Sequence, residues 1–334
     1  MRALRVHQVG PGVAVQDLGR PGYLAKGLTR GGAADLLAVH EGAALLRQSP
    51  GCAVLEMVGT GGTFEATEDV VIALTGAAMT ASIDGAAVVW NASHALPVGV
   101  PLVIGPTREG TYGYLHVSGG FATEPVLGAR ATHQSTGLGA LVAGRDVLPV
   151  GSGGATAGMT LPRDGRFHGG EVRIVPSMQT EDFSTETRER FENTVFQRDP
   201  RANRQGVRMD SDQGFSNPDQ LSVVSEVIVP GDIQIAGDGA PFVLLAESQT
   251  TGGYPRIGTV LPCDLPRVVQ APAGAELRFA FVTLDEGIAV QARANAAWAA
   301  LGKVVQPLVR DPADMQDLLS YQLVGGVVSA MDEG

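Results

Sequence analysis

Short apolar segments separated by glycine-containing turns fill the chain from Ala53 to Val150, and this pattern constrains the fold more than any other feature. Segments such as AVLEMVG, DVVIALTG and TYGYLHVSGG each have the length of one strand. The Asp84-Gly85 pair is the signal of a tight hairpin. Parallel sheets need a helix between successive strands, and that alternation is missing here. The pattern therefore predicts a mainly β protein.

Composition extends this prediction to the whole chain. The 334 residues include 45 Gly and 20 Pro, only 18% are charged, and 44% are hydrophobic, which favours many short strands around a sizeable core. Helical spacing predicts helices over 33–46, over 180–196 with Thr180 as the cap, over 284–300, and a short one after Asp311-Pro312. We expect two antiparallel β-barrel units with a few packed helices.

Charge and cysteine content exclude several classes of partner. The net charge of -11 argues against a nucleic-acid or anionic-membrane surface, because phosphate groups require a basic patch. No apolar run approaches the ~18 residues of a membrane span, and the first residues lack an apolar signal core. Cys52 and Cys263 are expected to be free thiols. These features predict a cytoplasmic protein of bacterial type.

Several catalytic motifs are absent. Neither a phosphate-binding G-x-x-x-x-G-K-[ST] loop nor a G-x-S-x-G nucleophile turn occurs. The six histidines show no metal-ligand spacing, so we expect no metal site. His133 and Ser135 are close enough in sequence to form a nucleophile pair, but no neighbouring residue is placed to orient them.

Three polar-glycine stretches combine flexible backbone with side chains that recognise carbonyl groups or anions. The first, QDLGRPG, is either a simple turn or a site in which the planar guanidinium of Arg20 binds a carboxylate or carbonyl group. The second, TRGGAAD, is either a helix cap or an anion site. The third, GARATH, is either functional or a structural arginine–carboxylate pair. Their candidate substrate-binding residues are Gln16, Asp17, Gly31, Gly32, Arg130 and Thr132.

The fourth stretch, LLAESQTTGGYP, has more polar side chains than a hairpin turn needs. Amide and hydroxyl groups satisfy the adjacent C=O and N–H of a ureido, lactam or amide group, and a carboxylate can deprotonate the N–H. We therefore predict Glu247, Tyr254 and Arg20 as catalytic residues. Further predicted substrate contacts are Glu226, Gln234, Gln249, Thr250, Thr251, Gly252 and Gly253.

Taken together, these stretches resemble the biotin-dependent carboxyltransferase family that includes the C-type subunit of 5-oxoprolinase, the second subunit of allophanate hydrolase and the carboxyltransferase half of urea carboxylase. The matching text is VQDLGRPG, GGAAD, VLEMVGTGGTFEA, ALTGA, YLHVSGGF, LGARAT, EVIVPGDIQI and LLAESQTTGGYP, in that order over most of residues 4–285. The family's A-D-x-Q-T-T-G-G-Y motif has Glu247 in place of its aspartate, and its R-M-G-Y-R segment reads Arg204 to Arg208 without the aromatic residue.

The resemblance implies a cyclophilin-like β-barrel fold, which gives expected units of 1–165, 166–285 and a helical tail of 286–334. It also implies a subunit of a heteromeric, ATP-dependent 5-oxoprolinase-like enzyme that is inactive alone. One alternative is a carboxyltransferase subunit that receives carboxybiotin from another chain and passes the carboxyl group to a urea-like acceptor. The other is a regulatory binding module that antagonises a kinase inhibitor.

The implied partners are a related-fold subunit, like the B-type subunit of 5-oxoprolinase, and a lactam-utilisation subunit. No biotin is expected on this chain, because neither Lys26 nor Lys303 lies in a biotin-acceptor sequence. The apolar stripe of the tail, Met315, Leu318, Leu319 and Leu323, predicts packing either on its own barrel or on a second copy in a homo-oligomer.

Overall fold

The computed structural model describes residues 2–216 and 224–309, and it confirms a mainly β protein. The predicted helix after Asp311-Pro312 and the tail stripe lie outside these ranges. The strands, in chain order, are β1 Ala3–Val9, β2 Ala14–Gln16, β3 Val54–Val58, β4 Gly62–Ala66, β5 Val70–Gly76, β6 Met79–Ile83, β7 Ala86–Ala87, β8 Ala92–Leu96, β9 Pro101–Thr107, β10 Tyr112–Val117, β11 Val147–Pro149, β12 Met159–Thr160, β13 Gly170–Val175, β14 Phe196–Arg198, β15 Gly206–Asp210, β16 Glu226–Val227, β17 Asp232–Ile235, β18 Pro241–Leu244, β19 Thr251–Gly252, β20 Arg256–Val260, β21 Glu276–Phe281 and β22 Gln306–Pro307. The helices are α1 Leu36–Leu45, α2 Thr185–Asn193, α3 Leu265–Gln270 and α4 Leu284–Ala299.

The first unit consists of two facing sheets. One has the order β11-β1-β4-β9-β6-β7, and the other has the order β2-β3-β10-β5-β8-β12-β22. Phe64 and Leu102 from the first sheet meet Leu55 and Leu115 from the second in one buried core. The predicted Asp84-Gly85 hairpin joins β6 to β7, with positive φ at both residues as this two-residue turn requires.

The second unit is a closed barrel of the order β13-β20-β17-β18-β15-β14-β21. Its pairs are antiparallel except β13 and β21, which run parallel and close the barrel. Alternate residues point inward, so Val207, Ile233 and Val243 are buried in its core, while their neighbours face outward. This outer face of β15, β18 and β17 is where the cavity described below forms.

Of the four α-helices within residues 2–216 and 224–309, three test predictions about capping and length. The helix predicted over 33–46 is α1, whose cap is Asp35, and the helix predicted over 284–300 is α4, which begins at a Thr283 capping box. The prediction that Thr180 caps α2 is wrong. Ser184 caps that helix, whereas the Thr180 hydroxyl donates to the Ile257 carbonyl at 2.8 Å.

A buried polar contact joins the two units. The Gln270 side chain of α3 donates to the Asp35 carboxylate and to the Tyr112 carbonyl, both at 2.8 Å. Arg166, from the connection between the units, donates to Asp35 at 2.8 Å and to both oxygens of Glu41. These contacts fix the end of the GGAAD stretch against the barrel. Within the described ranges no helix is both long and apolar enough to cross a bilayer.

Candidate functional site

A cavity of about 510 Å³ lies on the outer face of the barrel. Strand register places Arg208, Phe242 and Gln234 side by side across β15, β18 and β17 as its floor. The size falls within the range of small-molecule sites. Its wall is completed by Arg201, Asn203, Gln205, Gly206, Ile228, Ala236, Leu244, Ser248, Gln249 and Tyr254.

The QTTGGY loop forms one side of this cavity. Gln249 and Tyr254 line it with exposed side chains, and Tyr254 is 48% exposed. Gln234 and Ser248 also line the cavity, and their buried Nε2 and Oγ atoms have no hydrogen-bond partner among the described residues. Because an unsatisfied buried polar group costs roughly 1–3 kcal/mol, these atoms favour a ligand that can bond to them.

The rest of the loop has a backbone role. Gly252 pairs with Glu226 in the two-stranded sheet β16-β19, and a Cβ there would lie 2.4 Å from Gln234 Nε2. Thr250 accepts a hydrogen bond from the Ile228 amide through its carbonyl oxygen, while Thr251 is exposed in β19. Gly253 is half-buried between them and Tyr254. The Gly252 position therefore allows the loop to approach the cavity floor.

Glu226, predicted as a substrate contact, and Glu247, predicted as a catalytic residue, do not line this cavity. Glu226 instead accepts hydrogen bonds from Gln179 and Arg256, each at 2.7 Å. Glu247 points away from the cavity into a buried cluster and is 2% exposed.

Glu247 is held from both units of the protein. Its Oε1 accepts from Arg204 Nε at 2.5 Å, and its Oε2 accepts from the Ser135 amide at 3.0 Å. Arg204 also donates to Glu56 of β3 and to the Gly32 carbonyl. Burial alone lowers the pKa of Arg204, but Glu56 and Glu247 raise it above its ordinary value. Arg204 is therefore a permanent cation between two carboxylates.

Two tyrosines of β10 enclose this cluster. Tyr114 donates to Glu56 Oε2 at 2.7 Å and accepts from the Asp35 amide at 2.8 Å. Burial, followed by the charge of Glu56, raises the pKa of Tyr112 to about 12 and that of Tyr114 well above its ordinary value. Both phenols therefore keep their protons at neutral pH, and Tyr114 acts as a donor to Glu56.

His133 and Ser135 do come together, and Glu247 is the third group that the sequence does not place. Ser135 Oγ is 3.2 Å and Glu247 Oε2 is 3.8 Å from the same ring atom, Nδ1 of His133, whereas Thr29 Oγ1 is 2.9 Å from Nε2. A nucleophile triad requires the acid and the hydroxyl on opposite ring nitrogens. The Ser135 pair therefore lacks triad geometry.

The surroundings of His133 favour its neutral form. Burial lowers its pKa, Glu247 opposes this, and the charges of Arg20 and Arg204 lower it further. Arg20 and Glu247 thus both act on His133, although they form no ion pair with each other.

The remaining predicted residues of the first unit form a group of hydrogen bonds next to His133, called the clamp below, with backbone atoms between Val126 and Thr132. Gln16 Nε2 donates to the Thr132 carbonyl at 3.0 Å, and Asp17 accepts from the Arg130 amide at 2.6 Å. Arg20 is 1% exposed and donates to the carbonyls of Val126 and Ala131. Its Nη1 has no hydrogen-bond partner in the part of the chain that the structure describes. None of these side chains lines the 510 Å³ cavity.

The two glycines of the GGAAD stretch allow a close approach between the units. Both have positive φ, 62° at Gly31 and 86° at Gly32, which side-chain-bearing residues rarely adopt. The Gly31 amide donates to the Ala246 carbonyl at 3.1 Å, next to Glu247.

Sequence reasoning missed several residues of the site. The cavity residues Arg201, Asn203, Gln205, Arg208, Phe242 and Ser248 carried no prediction, and neither did Glu56. One signal was available for Glu56, since it is a lone carboxylate inside the apolar strand VLEMV. The others are brought together by strand register, which no local pattern reports.

Comparisons with known proteins agree with this architecture. The family model described as carboxyltransferase domain, subdomains A and B, matches residues 26–281. The C-type subunit of 5-oxoprolinase from Escherichia coli is 29% identical over 85% of this chain and 93% of its own. The protein of the same name from Haemophilus influenzae is 28% identical over 81% of this chain and 89% of its own.

Solved structures extend the likeness to three dimensions. The crystal structure of Kluyveromyces lactis urea carboxylase matches with a TM-score of 0.80 over 93% of this chain. At 20% identity that likeness shows the fold alone, and this chain spans only 31% of the length of that protein. Another solved structure, at 28% identity and a TM-score of 0.76, is likewise matched over only 55% of its length.

Proposed function

The chain belongs to the family described as carboxyltransferase domain, subdomains A and B, and we propose that it is a subunit of an ATP-dependent 5-oxoprolinase-type enzyme acting on a small lactam, amide or ureido compound. Two relatives named as C-type subunits of 5-oxoprolinase, aligned over 93% and 89% of their own lengths, support this proposal.

The lining of the larger cavity supports this substrate class on chemical grounds. The 510 Å³ cavity is lined by Gln234 and Ser248, whose buried amide nitrogen Nε2 and hydroxyl Oγ have no partners among the described residues. A lactam or amide has an acceptor and a donor on adjacent atoms. Gln234 can donate to its C=O, and the Ser248 hydroxyl can accept from its N–H.

We assign the substrate contacts to the cavity wall and a positioning role to Glu247. Gln249 and Tyr254 are exposed to the cavity and would complete the contacts with the reacting group. Glu247 lies behind the loop with both oxygens occupied, so in this arrangement it fixes the segment that bears Ser248 and Gln249. Arg20 supports the clamp from within the first unit.

The nucleotide chemistry is assigned to partner subunits, of which one has a related fold and another is a lactam-utilisation subunit. ATP hydrolysis would supply the free energy for opening a lactam. In the cavity, Arg201 is paired with Asp199, and Arg208 is paired with Asp210 and Asp238. A triphosphate needs cationic groups that are free to bind it, and these two are already neutralised. The chain alone is therefore expected to be inactive.

The test is ATP-dependent opening of 5-oxoproline by this chain mixed with its candidate partner subunits. Activity should require the whole set, and it should fall when this chain carries Gln249→Ala. Gln197→Ala, an exposed glutamine of β14 outside the cavity, is the matched control. Full activity from this chain alone would refute the subunit proposal, and inactivity with every partner present would favour the regulatory binding module.

The second candidate function is carboxyl transfer, which the family description itself favours. In that case a biotin carried by another chain would deliver a carboxyl group to a urea-like acceptor in the same cavity. Formation of N-carboxyurea and biotin from urea and free carboxybiotin that depends on this chain, without 5-oxoproline opening, would select this candidate.

A further inference from the structure

A second cavity, of about 250 Å³, lies where the two units meet. Leu244 lines the first cavity, whereas Leu245 and Ala246, next in sequence, line the second. The first unit contributes Gly31, Ala33, Ala34 and Leu36. Its remaining wall is Arg30, Arg204, Pro230, Pro262, Leu265, Pro266 and Val269.

The types of residue explain why this space stays open. Ala33, Ala34 and Ala246 are too small to reach across it, and the rings of Pro230 and Pro266 cannot rotate into it. A close-packed boundary would fill such a volume with larger side chains, because unfilled apolar space forfeits packing energy. The wall is almost entirely aliphatic, so the part of a ligand that enters must be apolar.

The two arginines in the wall differ in what they can bind. Arg204 is buried, and its three hydrogen bonds go to Glu247, Glu56 and the Gly32 carbonyl. Arg30 is exposed, and only its Nε is engaged, donating to the Leu18 carbonyl at 2.6 Å. No carboxylate of the described residues lies within 4.0 Å of the Arg30 guanidinium. The cavity therefore has a neutralised inner end and a free cation at its solvent end.

We propose that this second cavity binds a small organic acid whose apolar body fills the aliphatic chamber and whose carboxylate pairs with Arg30. The planar guanidinium has two Nη groups available, which suits a carboxylate better than it suits a neutral acceptor. The site is separate from the amide-binding cavity and does not depend on the proposed function. The two share the Leu244–Gln249 segment, which Glu247 and Arg204 hold in place.

Two small molecules of the same shape, benzoate and benzamide, test whether the cavity prefers a ligand with a negative charge. Benzoate and benzamide share one ring and differ in whether a carboxylate or a neutral amide is presented. We expect the full-length chain to bind benzoate with a Kd of about 1 mM, and benzamide about tenfold more weakly, in calorimetric or NMR titrations. Arg30→Gln should remove this preference for benzoate, while Arg5→Gln, which changes an exposed arginine paired with Glu65, should retain it.

A substitution that fills the second cavity tests whether the two probes bind inside it. Ala34→Leu puts a larger side chain into the chamber and should weaken both probes at least about tenfold. Should that variant fail to fold, a crystal structure of the benzoate complex decides the location, with the carboxylate expected on Arg30. Equal affinities for benzoate and benzamide, an unchanged preference in Arg30→Gln, or benzoate bound elsewhere would each overturn the proposal. Activity of the complex plays no part in these measurements, so they stand or fall apart from the proposed function.

Discussion

The Glu247→Gln variant is the sharpest test of the buried cluster that joins the two units. The substitution keeps the shape of the side chain and removes its charge. In the native protein the two carboxylate oxygens accept from two different donors, Arg204 Nε at 2.5 Å and the Ser135 amide at 3.0 Å. A glutamine has one oxygen, so its NH₂ group must face one of these donors.

The size of the expected stability loss depends on how deeply Glu247 and Arg204 are buried and on which hydrogen bonds Arg204 keeps. Glu247 is 2% and Arg204 is 7% exposed, so water cannot replace the lost acceptor. Removing one partner of a buried ion pair typically costs about 3–5 kcal/mol. Arg204 keeps its bond to Glu56, which reduces the penalty, and we expect the free energy of unfolding to fall by about 2–4 kcal/mol.

Urea unfolding followed by circular dichroism measures this loss, and Glu65→Gln is the matched control. Glu65 pairs with Arg5 at 2.9 Å on the surface, where an ion pair contributes little to stability. Equal losses in the two variants would refute the structural role of the cluster. If Glu247→Gln unfolds as late as the native chain but its reconstituted complex loses about 100-fold in turnover, or ~2.7 kcal/mol of barrier, Glu247 is a catalytic base as its sequence motif predicts.

Three further predictions address the cavity, the pH dependence and the cofactor. Tyr254→Phe should lower turnover of the complex by about tenfold or more without changing the unfolding midpoint, because the tyrosine is 48% exposed, and an early-melting variant would contradict this assignment. Burial lowers the pKa of His116 to about 3, so the unfolded chain binds the extra proton between that value and 6.5, and stability falls on acidification through this window. His116→Gln should remove about 1.4 kcal/mol per pH unit of that slope in urea titrations near pH 5, and an unchanged slope would show that His116 titrates normally. The purified chain should give no streptavidin signal, since neither Lys26 nor Lys303 is in a biotin-acceptor sequence, and a positive band would refute this.

Local patterns predicted local structure, which is why α1, α4 and the Asp84-Gly85 hairpin agree with the sequence. Each depends on residues within a few positions of one another. The Thr180 cap was wrong because the Thr180 hydroxyl is already engaged on both sides: it accepts from the Ser177 amide at 2.7 Å and donates to the Ile257 carbonyl of the barrel at 2.8 Å. A cap predicted from spacing alone cannot include such a competitor.

In the candidate site, too, features that depend on neighbouring residues could be predicted from the sequence, whereas contacts between distant residues could not. The polarity of the QTTGGY loop is visible in the sequence, and the structure places Gln249 and Tyr254 in one cavity. The partner of Glu247 is not visible, since Arg204 lies 43 residues earlier and Glu56 lies 148 residues before that arginine. The pairing of β15 with β18 within the barrel, which continues in the hydrogen bond from the Glu247 amide to the Arg204 carbonyl at 2.9 Å, selects Arg204 rather than Arg20 as the cation for this carboxylate.

The segment from Glu247 to Gly252 has two roles. Its buried charge, Glu247, stabilises the structure, and its exposed polar side chains are available to bind a ligand. Glu247 turns inward to Arg204 and to the Ser135 amide, which ties the segment to the other unit. With that anchor made, Gln249 is left exposed to the cavity, and the Ser248 hydroxyl has no partner among the described residues. A loop of six polar or glycine residues without such an anchor would lose conformational entropy each time it bound a ligand. The buried ion pair therefore preorganises the polar wall on the outer face of the barrel.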